Sequence, residues 1–309
     1  MNTGQEPQMD VTMKENSNPG MGAPQGPSGQ GTPTPSPQKP VKQEENFFVF
    51  LIKLVAIVVI FRSFFFAPFT IPSESMLPRL VNGDYLLAAK WPYGFSRYSL
   101  PFSLPVIPGR ILPHQPHRGD IVIFKAPPTN EQDWIKRVIG LPGDVIQVKG
   151  GVLYINEVAV PKVRIADFEV NVSPNTSCYR FRDDAVSRFE SVRPDGSHFC
   201  HYPQFRETLP ADNGVPGKSY NVLDFGTTPQ DDTPPYMVPE GALFLMGDDR
   251  DNSMDSRFST AEGGIAMVPQ ANLVGRATIM MWSTDGSAAW YKPWTWITGA
   301  RLSRIGGTF

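Results

Sequence analysis

One run of sequence constrains the rest of the chain. FFVFLIKLVAIVVIFRSFFFA, residues 47–67, has 21 residues and only two charges. As a helix it would extend about 32 Å, enough to cross a hydrocarbon core of roughly 30 Å. Asn46 can cap its start and Pro68 ends it. Lys53 and Arg62 each lie toward one end, where a long side chain can carry its charge out to the interface. A buried helix of a soluble core is the competing reading, and the two charges count against it. Cleavage after Ala67 would put Phe65 at −3 and Pro68 at +1, a poor fit to a processing site. The run is therefore read as one uncleaved membrane anchor. Lys39 and Lys42 precede it and Arg79 and Lys90 follow it, so positive charge barely separates the two orientations.

Residues 1–46 hold eight Pro and six Gly and almost no large apolar side chain. Such a segment cannot offset its chain entropy and reads as a disordered tail; a partner-binding Pro-rich stretch at 32–40 is the alternative. The net charge of −2 leaves no basic excess to neutralise phosphates, so nucleic acid is not expected as a partner. Four histidines leave little room for histidine-based catalysis or a histidine-rich metal centre. Two cysteines exclude a disulfide-framework miniprotein and leave open one bridge or two free thiols.

Past the anchor the text is β-like. GDYLLAAK (83–90), GDIVIFKAP (119–127) and LVGRATIMMW (273–282) are β-rich runs beside Gly-Asp or Pro punctuation. VIQVKGGVLYINEVAV (145–160) reads as strands separated by Gly150-Gly151 and Asn156-Glu157 turns. No βαβ alternation and no fixed-period repeat is present. Residues 161–240 are polar and turn-rich, as expected of an insertion or second β lobe with long loops. The expected class is mainly β after one transmembrane helix.

Three segments carry candidate chemistry. FTIPSESMLPRLVNGD (69–84) places Ser73 and Ser75 between Pro72 and Pro78. A serine is a weak nucleophile until a base takes its proton, so a partner is needed elsewhere. In DWIKRVIGLPGD (133–144), Lys136 stands among Trp134, Ile135, Val138 and Ile139. Turned inward, its ammonium would be desolvated and its pKa would fall. MGDDRDNSMDSR (246–257) is dense in Asp, Arg and Ser. A calcium loop starting at Asp249 fails, because Met254 stands where Gly is needed and Thr260 where Glu is needed. The composition suits a loop tied by Asp–Arg pairs.

In order and local text these segments resemble the bacterial type I signal peptidases: IPSESMLP, RGDIVIFKAP, IKRVIGLPGD and GDDRDNSMDSR, all after an N-terminal span. The resemblance covers roughly 69–160 and 241–282. It implies a Ser–Lys dyad peptidase with Ser75 as nucleophile and Lys136 as general base. Ser73 would donate to the oxyanion alongside the Ser75 backbone N–H. Ser253 would orient the lysine. Asp255, Arg257, Asp248 and Arg137 would brace the site as ion pairs. An extended preprotein with small residues at −1 and −3 would lie against Phe69, Ile71, Pro72, Met76, Leu80, Asp133, Trp134 and Ile135. No metal and no cofactor is implied.

The family's fold implies a β-barrel or sheet domain from 68–144 and 241–300, an inserted β-rich lobe at 145–240, and a short tail at 301–309. Two features depart from well-known relatives: a single span, and Asp249 where many carry Asn, a change expected to be tolerated. About 100 residues separate Asp144 from Gly247, which fits the Gram-negative type. That type places the anchor in the cytoplasmic (inner) membrane with its catalytic part in the periplasm. There a Cys178–Cys200 disulfide is expected; zinc held with His198 and His201 is the alternative. Trp290, Trp294 and Trp296 would either meet lipid at the membrane interface or pack in the β core. The functional rivals are a self-cleaving protease of related lineage and a membrane-tethered scaffold that keeps the fold without catalysis.

Overall fold

The computed structural model describes residues 46–212, 214–289 and 291–309. The Pro/Gly-rich tail up to residue 45 and Trp290 lie outside them. Helix α1 (Phe47–Phe64) has 18 residues, and Ser63 is its one buried side chain. It is the one helix among the described residues long and apolar enough to cross a membrane. The helix stops three residues short of the expected Ala67. There the backbone finds better partners: β1 (Phe66–Thr70) pairs antiparallel with β2 (Asp84–Ala89), Phe66 opposite Ala89 and Thr70 opposite Tyr85. Pro68 is tolerated in β1 because that strand lies at a sheet edge, where a missing N–H is not needed.

After a small ribbon of β3 (Phe95–Ser96) and β4 (Arg110–Ile111) come β5 (Ile121–Lys125) and β6 (Asp133–Gly140). The inserted region supplies β7 (Val145–Lys149), β8 (Val152–Ile155), β9 (Val158–Ala159), β10 (Lys162–Asn171), β11 (Glu190–Val192), β12 (His198–Thr208), β13 (Ser219–Leu223) and β14 (Tyr236–Met237). The chain closes with β15 (Ala242–Met246), β16 (Val268–Pro269), β17 (Leu273–Ser283) and the short α2 (Trp294–Thr298).

Seven strands form one antiparallel sheet in the order β1-β2-β17-β5-β6-β15-β16. The unbroken apolar run of β5 is explained by burial on both faces. Ile121 and Ile123 join Met76, Leu80 and Leu86 in one core cluster, while Val122 and Phe124 join Val138, Leu243 and Leu245 in another. Register shifts in β17 against β2 and β5 mark bulges, which bend a sheet and sharpen its twist. The bent sheet brings β1 and β6, four places apart in strand order, to the two sides of one cavity.

The turns at Gly150-Gly151 and Asn156-Glu157 form as the sequence implies, each with two consecutive positive φ values (+54° and +73°, +52° and +67°). The stretch 161–240 is less loop-like than its composition suggests. Strands β10 and β12 run for 10 and 11 residues as an antiparallel ribbon, with β11 and β13 both on β12. Cys178 and Cys200 form a disulfide, which commits both sulfurs and removes the zinc alternative; His198 instead meets Glu190 at 2.7 Å. The last residues are tied back to the sheet. Arg304 holds Asp84 at 2.6 and 3.0 Å, and Phe309 lies under the Arg79 guanidinium at 5.1 Å.

Candidate active site

Ser75 follows the extended end of β1. Its segment then turns tightly, with Leu77 N–H donating to Glu74 O (2.9 Å) and Leu80 N–H to Met76 O (2.9 Å). That turn drives Met76 and Leu80 fully into the core. The Ser75 carbonyl accepts a hydrogen bond from the Asp249 amide at 3.1 Å, which ties the serine to the 246–257 loop. Gly247 is required there: a Cβ would stand 2.2 Å from Ser253 Oγ and 2.5 Å from the Ser75 carbonyl oxygen.

Lys136 comes from β6, opposite Val122 of β5, and only 3% of its surface is exposed. Its Nζ lies 2.5 Å from Ser75 Oγ, across 61 residues of sequence. Burial is the main influence on this amine and brings its pKa down to about 8; Asp255 and Asp248 oppose the fall. The geometry therefore joins a hydroxyl to an amine that is a competent base near neutral pH.

Two buried ion pairs frame this contact. Arg137, next to the lysine on β6, reaches Asp248 through Nε (2.7 Å) and Nη2 (2.5 Å). Its guanidinium also stacks on Tyr220 at 4.1 Å. Asp255 accepts from Arg257 Nε (2.9 Å) and Nη2 (3.0 Å), and from the Gly247 amide (3.0 Å). A third brace was not anticipated. Arg250 pairs with Glu207 of β12 at 2.7 Å and so ties the loop to the inserted strands. No local motif marks Glu207, whose partner is 43 residues away.

Asp249 is 1% exposed and lies beside Asp251, Glu74 and Asn252. Burial raises its pKa well above the usual range.

The other expected residues divide. Phe69, Ile71, Pro72, Ser73, Asp133, Trp134 and Ile135 line a cavity of about 780 Å³ together with Ser75 and Lys136. Met76 and Leu80 do not line it; they lie beneath, in the cluster that supports Ile71. Ser73 is exposed at the cavity, two residues from Ser75. Ser253 departs from expectation. Its buried Oγ has no hydrogen-bond partner, so it makes no bond to Lys136; it packs instead against Gly247. Glu74, Asn82, Asn252 and the 173–177 segment also line the cavity and were not singled out from sequence.

Comparison with known proteins identifies the family. The sequence model of the family described as signal peptidase, peptidase S26, matches residues 45–282. The signal peptidase I of Rickettsia typhi is 34% identical over 286 residues, which is 86% of this chain and 93% of that protein. The signal peptidase I of Rickettsia prowazekii shows the same identity and coverage. A solved signal peptidase I from Enterococcus faecalis V583 is 24% identical, covering 53% of this chain and 97% of that one at a TM-score of 0.25. With a family match across most of the sequence, this chain belongs to the type I signal peptidases of peptidase family S26.

Proposed function

We propose that Ser75 is the nucleophile and Lys136 the general base with which this signal peptidase cleaves preproteins after small residues at −1 and −3. The observation that carries the reading is the buried 2.5 Å contact between Lys136 Nζ and Ser75 Oγ. Neutral Lys136 takes the Ser75 proton as Oγ bonds to the scissile carbonyl carbon. The tetrahedral oxyanion forms near the Ser75 backbone N–H and the Ser73 hydroxyl, which supply hydrogen bonds as charge develops. The ammonium of Lys136 then protonates the leaving amine, and the C–N bond breaks. A water, deprotonated by the same amine, hydrolyses the acyl-serine and frees the signal peptide.

The anchor α1 would hold the chain in the cytoplasmic membrane, with the β domain (68–144 and 241–300) and its inserted lobe (145–240) on the periplasmic side. An oxidising compartment suits the Cys178–Cys200 bridge. Trp294 and Trp296, 64% and 49% exposed, suit contact with lipid headgroups.

Detergent-solubilised protein given a preprotein with an A-x-A site tests the reading. Cleavage should follow the second Ala and stop when either Ala becomes Phe; cleavage elsewhere would overturn it. The pH profile is a second expected result. Only neutral Lys136 is a base, and its pKa stands at about 8. Hence kcat/KM should climb about tenfold per pH unit below that value and level off above it. A flat profile between pH 6 and 9 would assign the base to another group.

A further inference from the structure

The cavity has two kinds of wall. Phe69, Ile71, Ile123, Trp134 and Ile135 make one apolar. The other is polar and includes the turn Ser173–Ser177 of the inserted region, with Glu74 and Asn82.

This turn is a built structure. Ser173 and Thr176 exchange backbone hydrogen bonds of 2.9 and 3.0 Å. Asn175 Nδ2 donates to the Thr284 carbonyl at 3.0 Å, at the end of the main sheet. Arg301 donates to Asn175 Oδ1 (3.3 Å) and Thr176 Oγ1 (3.2 Å), and its other Nη donates to the Asn82 carbonyl (2.8 Å). Cys178, the next residue, is bonded to Cys200 on β12. The Ser177 backbone also faces Glu74, the neighbour of Ser75, and favours its carboxylate form against the burial that raises its pKa. An exposed side chain at Ser177 is therefore held in the cavity at a fixed place beside the nucleophile's own segment.

Resting on the Ser75–Lys136 reading, we propose that the 173–177 turn is the subsite for the first residues of the mature chain, and that Ser177 determines specificity there by favouring polar side chains. An extended peptide that places its scissile carbonyl at Ser75 advances about 3.3 Å per residue. Small signal-peptide residues suit the apolar wall. The residues after the cut must leave along the remaining lining, where hydroxyl and amide groups can hydrogen-bond a polar side chain and an apolar one would leave them unpaired. The inserted lobe thereby takes part in recognition, and its disulfide fixes the wall that does so.

The experiment uses full-length detergent-solubilised protein and peptides with a constant A-x-A site. One series carries Ser or Leu in turn at +1, +2 and +3; a second carries Ala or Leu at −3. Wild type should prefer Ser over Leu by about tenfold in kcat/KM at one or more mature-side positions. Ser177→Leu should collapse that ratio to about one, Ser177→Thr should preserve it, and neither should move the −3 ratio. A mature-side ratio unchanged in Ser177→Leu, or a change confined to −3, overturns the proposal. Failure of wild type to cleave any peptide after A-x-A overturns the catalytic reading beneath it, an outcome distinct from altered selectivity in an active enzyme.

Discussion

Lys136→Met should lower kcat/KM by roughly four orders of magnitude while leaving the protein folded. The side chains are similar in length, and Met removes the amine without leaving a cavity. It also removes a group whose charge is opposed by burial, so the melting temperature should hold or rise. Lys136→Arg should be as inactive, because a guanidinium keeps its proton throughout the working pH range. Ser75→Ala should match the lysine variants, and the double variant should be little worse than either single one. Two groups that act as one unit are strongly non-additive. Activity surviving in Lys136→Met, measured by preprotein cleavage with calorimetry on the same sample, would mean that another group takes the serine proton.

The parts of this site legible in the sequence are those whose neighbours reveal their surroundings. Lys136 is flanked by Trp134, Ile135 and Val138, and a strand so apolar must be buried. The Asp–Arg density of 246–257 likewise announced its pairing, and Asp255–Arg257 forms within two residues. Arg250–Glu207 was invisible, because it depends on where β12 passes the loop. The insertion hid its strands for a related reason. In β10 no side chain is fully buried, and exposed positions fall in adjacent pairs at 163–164 and 166–167, so the two-residue alternation that identifies a strand is broken until its last five residues. The groove wall at 173–177 could not be read for the same cause: a Ser-Pro-Asn-Thr-Ser string is ordinary turn sequence until Arg301 and a disulfide place it beside the nucleophile. Ser253 shows the opposite error. A motif put it on the lysine, while its buried hydroxyl, beside Gly247, makes no hydrogen bond there.

Asp255→Ala should be the most damaging change outside the dyad. Asp255 is fully buried and satisfies Arg257 Nε, Arg257 Nη2 and the Gly247 amide at 2.9–3.0 Å. Its loss leaves a buried guanidinium uncompensated and a buried amide unpaired, at a cost of about 3–5 kcal/mol. For a domain of this size the melting temperature should fall by about 10 °C. Asp255→Asn keeps the shape and gives a sharper test, since Asp255 is the strongest of the carboxylates that raise the Lys136 pKa. Removing that negative charge makes the ammonium less favourable, so the pKa falls and the rising limb of kcat/KM moves below pH 8. If the carboxylate served only to hold the loop, its loss would loosen the site and admit water to Lys136. The amine would then return toward its ordinary value near 10.5, and the limb would move up. The direction of that one shift, read in the folded Asp255→Asn protein, distinguishes an electrostatic role from a purely structural one.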